Sequence, residues 1–187
     1  MSTESSTESE WFIWFEIQER AIRISCAGDF DAAISELDAF LEADPAPDIK
    51  IQVIGLRGDI KRDRGDLRGA RSDFLSALKL SPTATFERFT LESGIGDLSE
   101  KLGELPEAEH WFLKALDTAA KDPTFCGVSA LKRISQVRGS LFLTPEERAL
   151  AEQVVTQGWK VLELPGKPTL NDLFGSARTL YQVQSRR

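Results

Sequence analysis

Residues 65–82 read GDLRGARSDFLSALKLSP, and their spacing decides the fold. Gly65 offers the positive φ that closes a helix, and the carboxylate of Asp66 can cap the next one. Ala70, Phe74 and Ala77 follow at steps of four and three, with Leu67, Leu78 and Leu80 on the same side, which is helical spacing. Ala70 and Ala77 leave room for a neighbouring helix and Phe74 fills the gap between them. Pro82 stops the helix.

The same arrangement recurs on both sides. Gly28-Asp29 precedes Ala33, Leu37 and Pro45, and Gly103-Glu104 precedes Ala108, Phe112 and Pro123. The turn glycines stand 37 and 38 residues apart, and in each copy the Gly-to-Ala step is five and the next step is four. Gly58 and Gly96 lie seven residues ahead of their turn glycines, and Ala21 takes that place in the first copy. A repeated unit of one helix pair follows, each pair burying its apolar side on the next.

This pattern resembles the tetratricopeptide repeat family. The second-helix half of that family's signature is met at Ala70, Phe74, Ala77 and Pro82, and again at Ala108, Phe112 and Ala115. The first-helix half departs from it: Ile17, Ile54 and Glu92 stand where Trp is expected, and Ile24, Lys61 and Ser99 where Tyr is expected. The resemblance implies an all-α, right-handed α-solenoid of stacked antiparallel helix pairs. Its repeats fall at about 14–47, 51–84 and 89–123, followed by a degenerate fourth pair over 125–163 and a capping helix over 169–184. Periods above the family's usual 34 predict extended loops at 46–48 and 83–85.

Taken in order, an acidic, hydroxyl-rich stretch over 1–9 is expected to be disordered, and the remaining residues 10–187 to form one domain. Helices are expected over about 10–27, 30–43, 48–64, 67–80, 86–102, 105–120, 125–139 and 145–163. Thr144, Pro145 and Glu147 read as N-cap, first-turn proline and capping-box acid of the eighth. Leu170, Leu173, Phe174, Ala177, Leu180 and Tyr181 form the stripe of the capping helix. The rings of Trp11, Phe12, Trp14 and Phe15 cover nearly every side of the first helix. They are expected to seal the open end of the solenoid, with a dimer or partner contact as the alternative.

Charge and cysteines narrow the function. The 187-residue chain has a net charge of −7, and residues 1–50 hold 12 acids against 3 bases, a balance of −9 that leaves +2 for the remainder. Nucleic acid is a poor match for such a surface. Cys26 and Cys126 are a hundred residues apart without CxxC spacing, so a reduced, cytoplasmic location is expected rather than a disulfide framework. Neither an export signal nor a membrane-spanning segment is recognisable.

Chemistry-bearing motifs are sparse, and neither an enzyme nor a cofactor is expected. His110 is the single histidine and reads as a surface residue. Asp29 and Asp31 resemble the start of a calcium loop, but Ala33 and Ile34 follow where ligands and a glycine are required. Gly94-Ile95-Gly96 lacks the Lys-Ser/Thr of a phosphate loop. Arg57, Lys61, Arg62, Arg64, Arg68 and Arg71 cluster around one turn, yet Asp59, Asp63, Asp66 and Asp73 are interleaved at helical spacing, so a self-paired face is expected over a grip on an acidic peptide.

In the resembled family, the first helix of each pair lines a concave groove for a peptide or helix. Carried over by position, that groove would show Phe15, Gln18 and Ile22, then Gln52, Gly55, Asp59 and Arg62, then Thr90, Ser93 and Asp97. A subgroup that clamps chaperone C-termini uses Lys and Asn there. This chain has Gln18, Ile22, Leu56, Thr90 and Gly94, so that activity is not implied. The expected role is a cytoplasmic adaptor or scaffold for a protein segment. The alternative is a bacterial inhibitor or immunity-type protein that covers a basic partner through its acidic N-terminal region.

Overall fold

The computed structural model describes residues 4–82, 85–122, 128–139 and 142–161. They form helices α1 (Glu4–Cys26), α2 (Phe30–Glu42), α3 (Pro47–Arg64), α4 (Leu67–Leu80), α5 (Phe86–Lys101), α6 (Leu105–Lys121), α7 (Val128–Arg138) and α8 (Pro145–Val161). There is no strand among the described residues. The all-α expectation and the order of helix pairs are met. The expected capping helix over 169–184 lies outside the described residues.

The chain divides into two compact units, Met1–Ser81 and Pro82–Arg187. In the first, α1 packs on α2 and α3, and α3 packs on α4. In the second, α5 packs on α6, α6 on α7, and α8 on both α6 and α7.

Each intra-pair turn closes in the same way. Gly28, Gly65 and Gly103 have φ of +90°, +93° and +79°. The residue after each glycine donates its N–H back into the preceding helix: Asp29 to the Ile24 carbonyl, Asp66 to Lys61 and Glu104 to Ser99, at 3.2, 2.9 and 2.9 Å. These bonds satisfy carbonyls that a helix end otherwise orphans. Asp29 and Asp66 then cap α2 and α4, their Oδ1 atoms accepting from Ala32 N at 3.1 Å and Gly69 N at 2.9 Å. Glu104, one methylene longer, makes no such bond at α6. At α8 the capping box forms, with Glu147 N donating to Thr144 Oγ1 at 3.3 Å and Thr144 N to Glu147 Oε2 at 3.0 Å.

Two boundaries differ from expectation. Helix α1 begins at Glu4, ahead of the start expected near Glu10. Pro47 and Asp48 are not loop but the first turn of α3, with Ala46 as N-cap, so the long period between repeats is taken up by an 18-residue helix. Proline is well suited to that first turn, where its missing N–H costs no bond. Residues 83–84 of the second expected loop lie outside the described residues.

The cores follow the small-and-large alternation. The first unit buries Trp14, Ala21, Ala33, Leu37, Ile49 and Val53 in one cluster. The second buries Ala108, Phe112, Ala115, Leu116, Leu131, Ile134 and Val154. Gly58 lies against the ring of Phe74, and Gly96 against that of Phe112. In the first pair, where Leu37 replaces the phenylalanine, Ala21 occupies the glycine's place and both are fully buried.

Candidate functional site

Helices α1, α3 and α5 hold the residues projected to line a groove. On α1, Phe15 and Ile22 are 63% and 42% exposed, and Gln18 between them is half-buried. On α3, which packs against α1, Gln52, Asp59 and Arg62 are half-buried. These six share the first unit. Thr90, Ser93 and Asp97 belong to α5 in the second unit.

Several of these side chains are already engaged. Gln52 Oε1 accepts from Trp14 Nε1 at 3.1 Å. Arg62 reaches Asp59 at 2.7 Å and Asp63 at 3.4 Å. Burial pushes the Asp59 carboxyl above its usual range, and Arg62 draws it part of the way back. Thr90 Oγ1 donates to the Phe86 carbonyl at 2.9 Å, turned into its own helix. Asp97 accepts from Arg133 of α7, 2.8 Å from Nε, and Arg133 also reaches Glu100. The Ser93 hydroxyl is buried with no hydrogen-bond partner among the described residues.

Four of the six bases around the second turn, Arg57, Lys61, Arg62 and Arg64, are paired with acids. Arg57 grips Asp73 with two bonds, 2.9 Å from Nε and 2.7 Å from Nη2, and its third nitrogen meets Asp38. Lys61 reaches the same Asp73 at 2.8 Å. Arg64 pairs with Asp31 of α2 and Asp66. Asp73 is buried, so these contacts join α3 to α4 and, through Asp38, to α2.

The aromatic group at the start of α1 divides between inside and outside. Trp14 is 1% exposed, stacks on Phe40 with ring centroids 6.0 Å apart, and belongs to the core with Trp11 packed beside it. The Trp14 ring is thus spent on α2 and is not available to the dimer or partner contact expected of this aromatic group. Phe12 and Phe15 point the other way, 76% and 63% exposed. Of the exposed residues Phe12, Phe15, Glu19, Ile22 and Cys26 along α1, Glu19 and Cys26 were not among the expected contacts. Their signal in the sequence is the alternation of three- and four-residue steps.

His110 is exposed with its ring edge-on to Trp111 at 5.7 Å. Among the described residues no group of three or more His, Cys, Asp or Glu side chains converges on a metal position. None of the helices described is long and apolar enough to cross a membrane.

Comparison with known proteins identifies the fold. A tetratricopeptide repeat protein from Parabacteroides merdae superposes with a TM-score of 0.56 at 22% identity over 82% of this chain. The chain spans about half of that protein, 55% of its length. BtubC (BKLC) from P. vanneervenii superposes with a TM-score of 0.58 at 17% identity, covering 92% of this chain and 79% of that one. No protein-family model and no curated protein matches the sequence. The fold is thus of the tetratricopeptide-like α-solenoid class.

Proposed function

We propose that the protein is a non-catalytic adaptor or scaffold that takes up a peptide or protein segment on its first helices. Phe15, Gln18 and Ile22 of α1 with Gln52, Asp59 and Arg62 of α3 are the candidate contacts of the first unit, and Thr90, Ser93 and Asp97 of α5 are those of the second, each unit taken by itself. The observation that carries this reading is the exposure of Phe15 and Ile22, two large apolar side chains about two helical turns apart with an amide between them. Apolar anchors supply affinity by leaving water, and amides select the register of a bound backbone. The exposed thiol of Cys26 fits a reducing, cytoplasmic setting.

The test is capture of partners from the native host by the tagged protein and by an Asp59→Ala/Arg62→Ala variant. Stoichiometric partners held by the parent and weakened in the variant support the reading. Equal capture by both removes α3 from the site.

A second reading, an inhibitor of the bacterial immunity type covering a basic partner, is favoured by one feature. The −9 balance of residues 1–50 is offset from outside that stretch at Asp38, by Arg57, and at Asp31, by Arg64, which leaves an acidic excess. Micromolar binding that survives moderate salt fits the adaptor. Nanomolar binding, tighter by about 4 kcal/mol and weakened by salt, fits the inhibitor.

A further inference from the structure

Three neighbouring helices of the first unit carry charge at the same interval. On α3, Arg57 and Arg64 stand seven residues apart with Ile60 between them. On α2, the acids Asp31 and Asp38 are also seven apart, with Ile34 between. Asp66 at the N-cap of α4 and Asp73 within it repeat the interval around Ala70. These charges meet in antiparallel order. Arg57 donates to Asp38 on one side and to Asp73 on the other, the latter at 2.9 and 2.7 Å. Arg64 donates to Asp31 and, at 3.4 Å, to Asp66. Two ionic rungs thus cross three helices, and Ile34, Ile60 and Ala70, which lie between the rungs along their helices, are buried.

This alternation is selective for register. A slide of α3 along α2 by one turn would bring each guanidinium level with an apolar layer and strand the acids it had paired, which is costly where water is excluded. Only a slide of seven residues, about 10 Å, sets cations against acids again, and it gives up one rung. Apolar packing discriminates less, because similar ridges of side chains recur at every turn. The 43–46 link between α2 and α3 is long enough, when extended, to follow a one-turn slide of about 5 Å, so it does not impose the register itself.

The register matters at the candidate contacts. Gln52, Asp59 and Arg62 move with α3, and Gln52 Oε1 accepts from Trp14 Nε1 of α1 at 3.1 Å. A one-turn slide would break that bond and displace all three residues by about 5 Å relative to Phe15, Gln18 and Ile22. We propose that Arg57 and Arg64 are positioning residues, whose two ionic rungs fix α3 in one register against α2 and so set the contacts of α3 against those of α1. The consequence for a partner rests on the adaptor reading, whereas the register itself does not.

The test uses the full isotope-labelled chain without a partner, read by NMR. The Trp14 indole N–H signal, assigned by its disappearance in Trp14→Phe, reports the bond to Gln52. Arg57→Met/Arg64→Met keeps long side chains, removes both rungs and leaves Asp73 paired with Lys61 at 2.8 Å. In that variant the Trp14 signal is expected to shift and its proton to exchange with solvent at least about tenfold faster, at a temperature well below melting. An unshifted, equally protected indole overturns the proposal even if the variant melts earlier, because the rungs would then add stability without setting position. If the double variant does not fold, the outer rung decides alone. Arg64→Asp is expected to shift the Trp14 signal, and Arg64→Asp/Asp31→Arg, which restores an α2–α3 pair with its charges exchanged, to return it to the parent position. No shift in Arg64→Asp, or no return in the exchanged pair, overturns the proposal as well. A parent chain that captures no partner removes the adaptor reading and leaves the register standing, so the two failures are distinguishable.

Discussion

The ring of Phe74 lies so close to Gly58 that a Cβ built on the glycine would stand 2.6 Å from Phe74 Cε1 and 3.3 Å from the Ala70 carbonyl oxygen. Gly96 and Phe112 stand in the same relation, again at 2.6 Å. Because both rings are buried, neither can turn aside into solvent.

Gly58→Ala is therefore expected to destabilise the protein although alanine favours helix by about 1 kcal/mol. Overpacking costs about 1–3 kcal/mol and outweighs that gain. The double variant Gly58→Ala/Phe74→Leu copies the Ala21 and Leu37 combination and should recover part of the loss. Thermal melts of the three proteins decide the matter; a Gly58→Ala variant melting above the parent would mean that the Phe74 ring has room to move.

The split of the aromatic group predicts opposite outcomes for neighbouring residues. Trp14→Ala removes a buried ring and its bond to Gln52, and should cost about 3–5 kcal/mol in urea unfolding. Phe12→Ala acts on an exposed side chain and should stay within about 0.5 kcal/mol of the parent. Comparable losses from both would contradict the orientation of α1.

Asp73 holds Arg57 and Lys61 together from a buried position. Asp73→Asn keeps the shape, removes the charge and leaves two cations underpaired. A loss of about 1–3 kcal/mol is expected, and the cost should persist at raised salt because the pairs are largely shielded from solvent. Chemical denaturation at low and high salt measures both.

Glu147 accepts from both Arg138 and the Thr144 N–H, and the Arg138 bonds chiefly hold its carboxyl below the usual range. A carboxyl depressed in the folded state contributes stability above its unfolded pKa and loses it as pH falls through the folded value. Glu147→Gln should consequently be less stable than the parent at neutral pH and converge on it in acid. Parallel stability curves across that range would exclude this contribution.

The helices were legible because each is bounded by chemistry that acts locally. Gly65-Asp66 ends one helix and caps the next through atoms no more than five residues away, and Thr144 with Glu147 does the same at α8. The start of α1 carries no comparable stop, and Pro47 reads equally as a loop or as a first turn. At the candidate site, positions on helices could be projected but their engagement could not. Asp97 lies 36 residues from Arg133, which binds it, and only the packing of α7 brings them together. Four rings in five residues erase the periodicity that would separate Trp14 inside from Phe12 outside.

The fit of glycine to phenylalanine and of alanine to leucine also constrains descent. A helix pair moving from the Ala21–Leu37 form to the Gly58–Phe74 form by single substitutions has two routes. Enlarging leucine first drives a ring into a methyl group, whereas trimming alanine first leaves only a small void. The second route keeps every intermediate foldable, so ancestral pairs combining glycine with leucine are the expected stepping stones between repeats of this chain.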